Sequence, residues 1–275
     1  MNMTQNQMRI RVNDENYHQD VVTEGGLDSN AIDKEVYNFE EYYCAFLDIL
    51  GYKDKLELFF QNKYNLYGRI ERAMSNAGVE CCEDYPDRIK THIFSDSIII
   101  TIPKTDNSNL NLLINYISTL IAQFSYEGLF IRGGISSGKL FEDPNINFLA
   151  SEGLVKAYQL EQKAVYPMIV IDEDLISQVI EKKRIVKNAN KYILNYVRYI
   201  INEEGENQQD VAKELAEIVS YRDSASNDNV RGKYNWLINY YLWFIELSNN
   251  KFKKFDMNNF THFISKEREP RFVFS

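Results

Sequence analysis

The chain is poor in cysteine, histidine and proline. Its three cysteines, Cys44, Cys81 and Cys82, are an odd number without a CxxC pair, which argues against a disulfide framework and a structural zinc site. The three histidines, His18, His92 and His262, have no metal-ligand spacing and no serine or cysteine partner signature, so nucleophilic catalysis through a histidine has no support. No run of lysine or arginine stands out. With 31 basic against 40 acidic residues the formal charge is -9 and the pI near 5.0, so neither duplex nucleic acid nor an anionic membrane is expected as the main partner. Long apolar runs are also missing. The longest late one, Trp236 to Leu247, is short and interrupted by Asn239, which does not suit a bilayer span. Met1 to Asn38 carries acids throughout and no apolar core of signal-peptide type, so the expected setting is a reducing cytoplasm.

The 275 residues, 44% of them apolar, can build a sizeable core. The most informative stretch is YYCAFLDILGY around Asp48. It reads as a buried strand that ends in a carboxylate, with Gly51 three residues later. Desolvating a carboxylate is costly unless it is paired or binds a cation. The candidate opposite it is Asp96 in THIFSDSIIITIP, an acid between two β-branched runs and therefore at a hairpin tip. Two carboxylates presented next to turns suggest a site for divalent metal ions, with Asp48 and Asp96 as ligands.

In chain order, residues 1–38 read as a flexible polar arm. The spacing predicts helices over Lys53 to Phe60 and Tyr64 to Ala77, the second stopped by Gly78, and a strong amphipathic helix over Leu110 to Tyr126 capped by Gly128. Leu129 to Ile135 reads as a strand, and Gly134 and Gly138 as bracketing a tight turn before Leu140. Ser151 is an N-cap for a helix over Glu152 to Lys163, and Pro167 to Asp172 is a further buried strand. Strand, helix pair, hairpin, helix, strand, helix, strand is an α+β, ferredoxin-like or split βαβ layout, here over residues 39–180. Residues 181–275 read as a helical appendage, including Tyr192 to Ile201 and Val211 to Val219. The aromatic set Tyr234, Trp236, Tyr240, Tyr241, Trp243 and Phe244 is expected to be core or a dimer contact. Gly133, Gly138 and Lys139 fit the start of a P-loop, but Leu140 stands where its Ser or Thr should be and no helix pattern follows, so that reading is rejected.

Taken together, FLDILGY with Phe46, Asp48, Ile49 and Gly51, FSDS around Asp96, IRGGISSGKL from Ile131 and LVKAYQLE from Leu154 resemble the ordered motifs of class III nucleotidyl cyclases. The variant is similar to the pyrimidine cyclases of Pycsar antiphage systems, which also carry a helical tail with a KYxWL segment, here Lys233 to Leu237. The resemblance covers about residues 42 to 172 and that tail element. It implies cyclisation of UTP, or of CTP, to the 3',5'-cyclic monophosphate and pyrophosphate, giving a second messenger sensed by a separate effector.

It further implies two Mg2+ or Mn2+ ions on Asp48, Asp96 and the Ile49 carbonyl, and active sites shared between the subunits of a head-to-tail homodimer. Where purine-using relatives place an adenine-reading lysine, this chain has His92, and where they carry an Asn and an Arg on the helix it has Val155 and Gln159. Arg132 is then the expected source of transition-state charge, with Lys139 and Lys156 as other basic candidates. Tyr52, His92, Phe148 and Lys139 are the candidate substrate contacts. UTP is favoured over CTP. The rival expectation is a degenerate cyclase-like module that binds a nucleotide or a partner without turnover.

Overall fold

Alternation along β1 (Glu40–Ile49) turns Tyr43, Ala45, Leu47 and Ile49 to one face of a sheet and Cys44, Phe46 and Asp48 to the other. The structure, a computed structural model, describes Tyr37 and residues 39–82, 88–201, 208–247 and 272–274. The arm expected over residues 1–38 lies outside the described residues except for Tyr37.

After β1 come α1 (Tyr52–Phe60) and α2 (Leu66–Cys82), the hairpin β2 (Lys90–Phe94) and β3 (Ser97–Pro103), α3 (Asn107–Tyr126) and β4 (Ile131–Asp143). The strands lie in the order β2-β3-β1-β4, with β1 antiparallel to both β3 and β4. Each helical crossover thus joins strands that are parallel but not adjacent, which is the split βαβ arrangement expected. The α3 stripe of Leu113, Ile117, Leu120, Ile121 and Phe124 is buried. Asp106 caps its start by accepting from the N–H groups of Ser108 and Asn109. At its end Gly128 takes φ 69°, and the Leu129 N–H bonds the Phe124 carbonyl at 2.9 Å.

Helix α4 (Glu152–Lys163) covers the other face of the sheet, packed on β1 and β4, with Ser151 as its N-cap. It follows β5 (Phe148–Ser151), which pairs back on β4, and leads to β6 (Ile169–Ile171), parallel to β4.

Three expectations need correction. Gly78 does not stop α2, which runs on to Cys82; a glycine ends a helix when the chain turns left-handed there, and Gly78 is not among the positive-φ residues. The glycine-rich stretch is not a turn between strands either, because β4 is one continuous strand from Ile131 to Asp143. Its glycines serve contact with α4. A Cβ on Gly134 would meet the Ala157 carbonyl at 2.2 Å, and one on Gly138 would meet the Gly153 nitrogen at 2.7 Å.

The third correction concerns the segment beyond residue 180, which is not purely helical. After α5 (Glu173–Ile176), β7 (Ile185–Asn188) and β8 (Lys191–Leu194) form a hairpin that extends the same sheet beyond β6, so Tyr192 is in a strand. β9 (Phe272–Phe274) pairs with β7. The sheet therefore crosses the expected boundary at residue 180 without a break. Helices α6 (Val197–Ile200), α7 (Gln208–Asp223) and α8 (Asp228–Leu247) supply the helical part. In α8 the side chains of Trp236, Tyr240, Tyr241 and Phe244 are buried, so this aromatic set is core.

Candidate active site

Asp48 is the last but one residue of β1, and cross-strand register sets Ser97 on one side of it and Arg132 on the other. Asp96 forms the β2–β3 tip together with Ser95, which adopts φ 58°. The Ile49 N–H bonds the Asp96 carbonyl at 3.0 Å and so ties that tip to the end of β1. Gly51, with φ 70°, then turns the chain sharply into α1. These backbone constraints bring Asp96 to the same sheet end as Asp48, near enough for its charge to bear on the Asp48 carboxyl.

Arg132 completes the group. Its Nε–H donates to Asp48 Oδ2 at 2.9 Å, and the same nitrogen lies 2.8 Å from Glu161 Oε1. A single N–H cannot serve both well; Glu161 Oε1 is left without a hydrogen bond and its pairing with Arg132 is ionic only. Glu161 is 1% exposed. Burial pushes the Asp48 carboxyl above its ordinary range, Arg132 pulls it down, and Asp96 raises it again. Glu161 is likewise raised, first by burial and then by Asp48 and Asp96, with Arg132 opposing. On α8, the Lys233 ammonium is pressed down by burial and by Arg132 and held up by Asp48, which places it in electrostatic reach of the group.

Three carboxylates against these two cations leave the cluster acidic, a balance that a divalent ion would offset. Among the described residues no set of three His, Cys, Asp or Glu side chains forms a metal cage. Two hard carboxylates without a full cage suit Mg2+ or Mn2+, ions that keep waters and take substrate phosphate oxygens as further ligands. The residues present thus fit the metal.

The remaining candidates scatter. Tyr52 opens α1 just past the acids and is half-buried against the core. His92 pairs with Ile99, which pairs with Phe46, so it shares the α4 face one pleat away from the row of Asp48. Its Nε2 lies 3.7 Å from Glu142 Oε1. Lys139 and Phe148 sit toward the other end of β4 and on β5; Lys139 is seven residues beyond Arg132, roughly 23 Å along a strand, so one chain does not bring them to the acids. On α4, Val155 and Gln159 are exposed and Lys156 Nζ bonds the Ser137 carbonyl at 3.4 Å.

Sequence reasoning missed two members of the group. Glu161 carried a legible signal: with Gly153 and Ala157 it forms the buried i, i+4, i+8 stripe of α4, where an acid calls for a partner. Lys233 carried none beyond its place in KYNWL, since its position depends on how α8 docks.

No described protein family matches the sequence, and no curated protein does. Solved structures do, 36 chains in all. One is the adenylyl cyclase CyaB from P. aeruginosa, at 13% identity and a TM-score of 0.40, covering 57% of this chain and 94% of that one. Another is the catalytic core of a rhodopsin-guanylyl cyclase with converted specificity in complex with ATPαS, at 12% identity and 0.45, covering 57% and 95%. A third is a class III adenylyl cyclase-like ATP-binding protein from Pseudomonas aeruginosa, at 8% identity and 0.41, covering 52% of this chain and 36% of that one. Likenesses of this size bear on neither substrate nor chemistry; the site rests on its own geometry.

Proposed function

We propose that this chain is a nucleotide cyclase of the class III type that converts a pyrimidine nucleoside triphosphate, UTP before CTP, to its 3',5'-cyclic monophosphate. The observation that carries the reading is the Asp48–Asp96 pair, held at one sheet end by the bond between the Ile49 N–H and the Asp96 carbonyl and flanked by Arg132. The 3'-oxygen would form a bond to the α-phosphorus while the bond from that phosphorus to the bridging oxygen breaks. Pyrophosphate leaves with the electron pair, and the 3'-hydroxyl proton passes to solvent or to a carboxylate of the site. Divalent ions on Asp48 and Asp96, with the Ile49 carbonyl, would supply Lewis-acid stabilisation of the developing charge. Asp48 and Asp96 would orient the phosphates, and Arg132 would set the Asp48 carboxylate and offset charge on the phosphorane oxygens.

Pyrimidine choice rests on His92 standing where purine-using relatives of the resembling family carry lysine, with Tyr52 at the start of α1 as a separate candidate contact. A homodimer is supported by exposed apolar side chains on the outer surface of α4, Val155 and Tyr158, and on the β4–β5 arm, Ile146 and Phe148. A second copy seated there could bring Lys139 and Phe148 to its partner's acids. The wider reading is a cytoplasmic enzyme whose cyclic nucleotide serves as a messenger in antiphage defence, sensed by a separate effector; among the described residues no helix is long and apolar enough to cross a membrane.

Val155 and Gln159, exposed on α4 in place of the Asn and Arg of the resembling family, favour the rival reading of a nucleotide-binding module without turnover. Pyrophosphate release separates the two. The purified protein with Mn2+ is expected to release pyrophosphate from UTP or CTP and to stop when the metal is chelated; no release from any nucleoside triphosphate would leave the binding module.

A further inference from the structure

Helix α8 buries a stripe at intervals of four, Leu237, Tyr241 and Ile245, all 4% exposed or less. One turn earlier the same stripe reaches Lys233, half-buried where an apolar side chain would continue it. Two aromatic contacts fix that turn. The Tyr234 ring packs edge-on to Phe130 at 5.8 Å, and Trp236 stacks on Tyr166 at 5.6 Å with 2° between the planes. Phe130 lies two residues before Arg132, and its carbonyl accepts from the Leu50 N–H at 2.8 Å, two residues after Asp48. This turn of α8 is therefore seated at the acid end of β1 and β4.

Lys233 is within electrostatic reach of both Asp48 and Arg132, yet among the described residues it forms no ion pair. Asp48 offsets only part of the cost of half-burying this ammonium, and a bound polyanion would offset more of it. On α4, Val155 and Gln159 occupy outward positions and Lys156 is turned to the Ser137 carbonyl. Arg132, the other cation of the cluster, is engaged by Asp48 and Glu161.

We infer that Lys233 is a phosphate-binding residue of the site, delivered by the C-terminal helix to hold the triphosphate of the nucleotide beside Asp48. The inference rests on the nucleotide reading of the site and adds a residue from outside the split βαβ core to it. The helical tail is then part of the active site rather than an appendage, and α8 must dock for the site to be complete. A point charge on a flexible stem suits a leaving pyrophosphate whose charge grows as its bond to the α-phosphorus breaks.

The test compares wild type, Lys233→Met, which keeps the apolar stem and removes the charge, and Lys233→Arg. The probes are the four 3'-deoxynucleoside triphosphates, which cannot cyclise, measured by equilibrium binding with Mn2+ alongside thermal melting and kcat/KM. Loss of a charge-assisted contact is expected to weaken binding about tenfold or more and to lower kcat/KM about a hundredfold in Lys233→Met, with the melting temperature little changed. Lys233→Arg should recover most of both. Unaltered binding and turnover in Lys233→Met would overturn the inference. So would a loss that tracks melting temperature and that arginine does not rescue, or a wild type that binds none of the four probes. A wild type that binds with this dependence on Lys233 but forms no cyclic product would instead overturn the cyclase reading and leave Lys233 in place.

Discussion

Replacing Asp48 by asparagine is expected to lower cyclic-nucleotide formation by about a thousandfold or more while the protein stays folded. The size follows from what is removed: metal stabilisation of transition-state charge is worth several kcal/mol, and each ~1.4 kcal/mol is a factor of ten in rate. Stability should not suffer. Burial and Asp96 already raise the Asp48 carboxyl, so the folded state holds its ionised form at a cost, and a neutral amide of the same shape removes that cost. The sign can be followed with pH. A carboxyl raised on folding is tolerated best below its unfolded pKa and destabilises progressively as pH rises through the folded value. Melting temperatures of the variant and wild type should therefore diverge toward neutral pH in favour of Asp48→Asn. A variant that melts at least as high as wild type and still turns over at full rate would remove Asp48 from the metal site.

Gly134→Val is expected to be strongly destabilising. The Cβ alone would lie 2.2 Å from the Ala157 carbonyl and 2.6 Å from the Leu160 Cβ, and neither β4 nor α4 can yield without opening the interface that positions Glu161 beside Arg132. Overpacking against backbone costs about 3 kcal/mol or more, which for a chain of this size lowers the melting temperature by roughly 6–12 °C. Gly78→Ala is the control. A Cβ there meets nothing within 4 Å, so alanine should be neutral or stabilising by about 0.5–1 kcal/mol through helix propensity. Equal melting of Gly134→Val and wild type in a thermal scan would mean that α4 does not pack as described.

Gly134 also shows where the sequence stops being legible. A glycine reads locally as a turn, and here the demand for it comes from a helix that docks on the strand from some twenty residues downstream, a tertiary fact with no local signature. Ile185 to Leu194 failed in another way. Its short apolar runs fit helix and strand alike, and the sheet edge left open by β6 decided for a hairpin.

Local signals did suffice where the local chemistry is complete. Ser151 caps α4 by its own side chain and Gly128 ends α3 through its own φ. The acid pair was legible for the same reason, since a carboxylate closing an apolar run and another at a hairpin tip are each visible in a few residues. Glu161 and Lys233 were not read as site residues, because each belongs to a helix whose apolar stripe brings it to the site only after packing.

The most direct test of the central claim, that the Asp48–Asp96 pair supports cyclisation of a pyrimidine nucleotide, is mass spectrometry of the products after incubation with each of the four nucleoside triphosphates and Mn2+. The expected result is one new species from UTP, or from CTP, with the mass of the 3',5'-cyclic monophosphate, formed together with pyrophosphate and missing in Asp48→Asn. Linear mono- or diphosphates, a purine cyclic product, or unchanged substrate in all four reactions would contradict it.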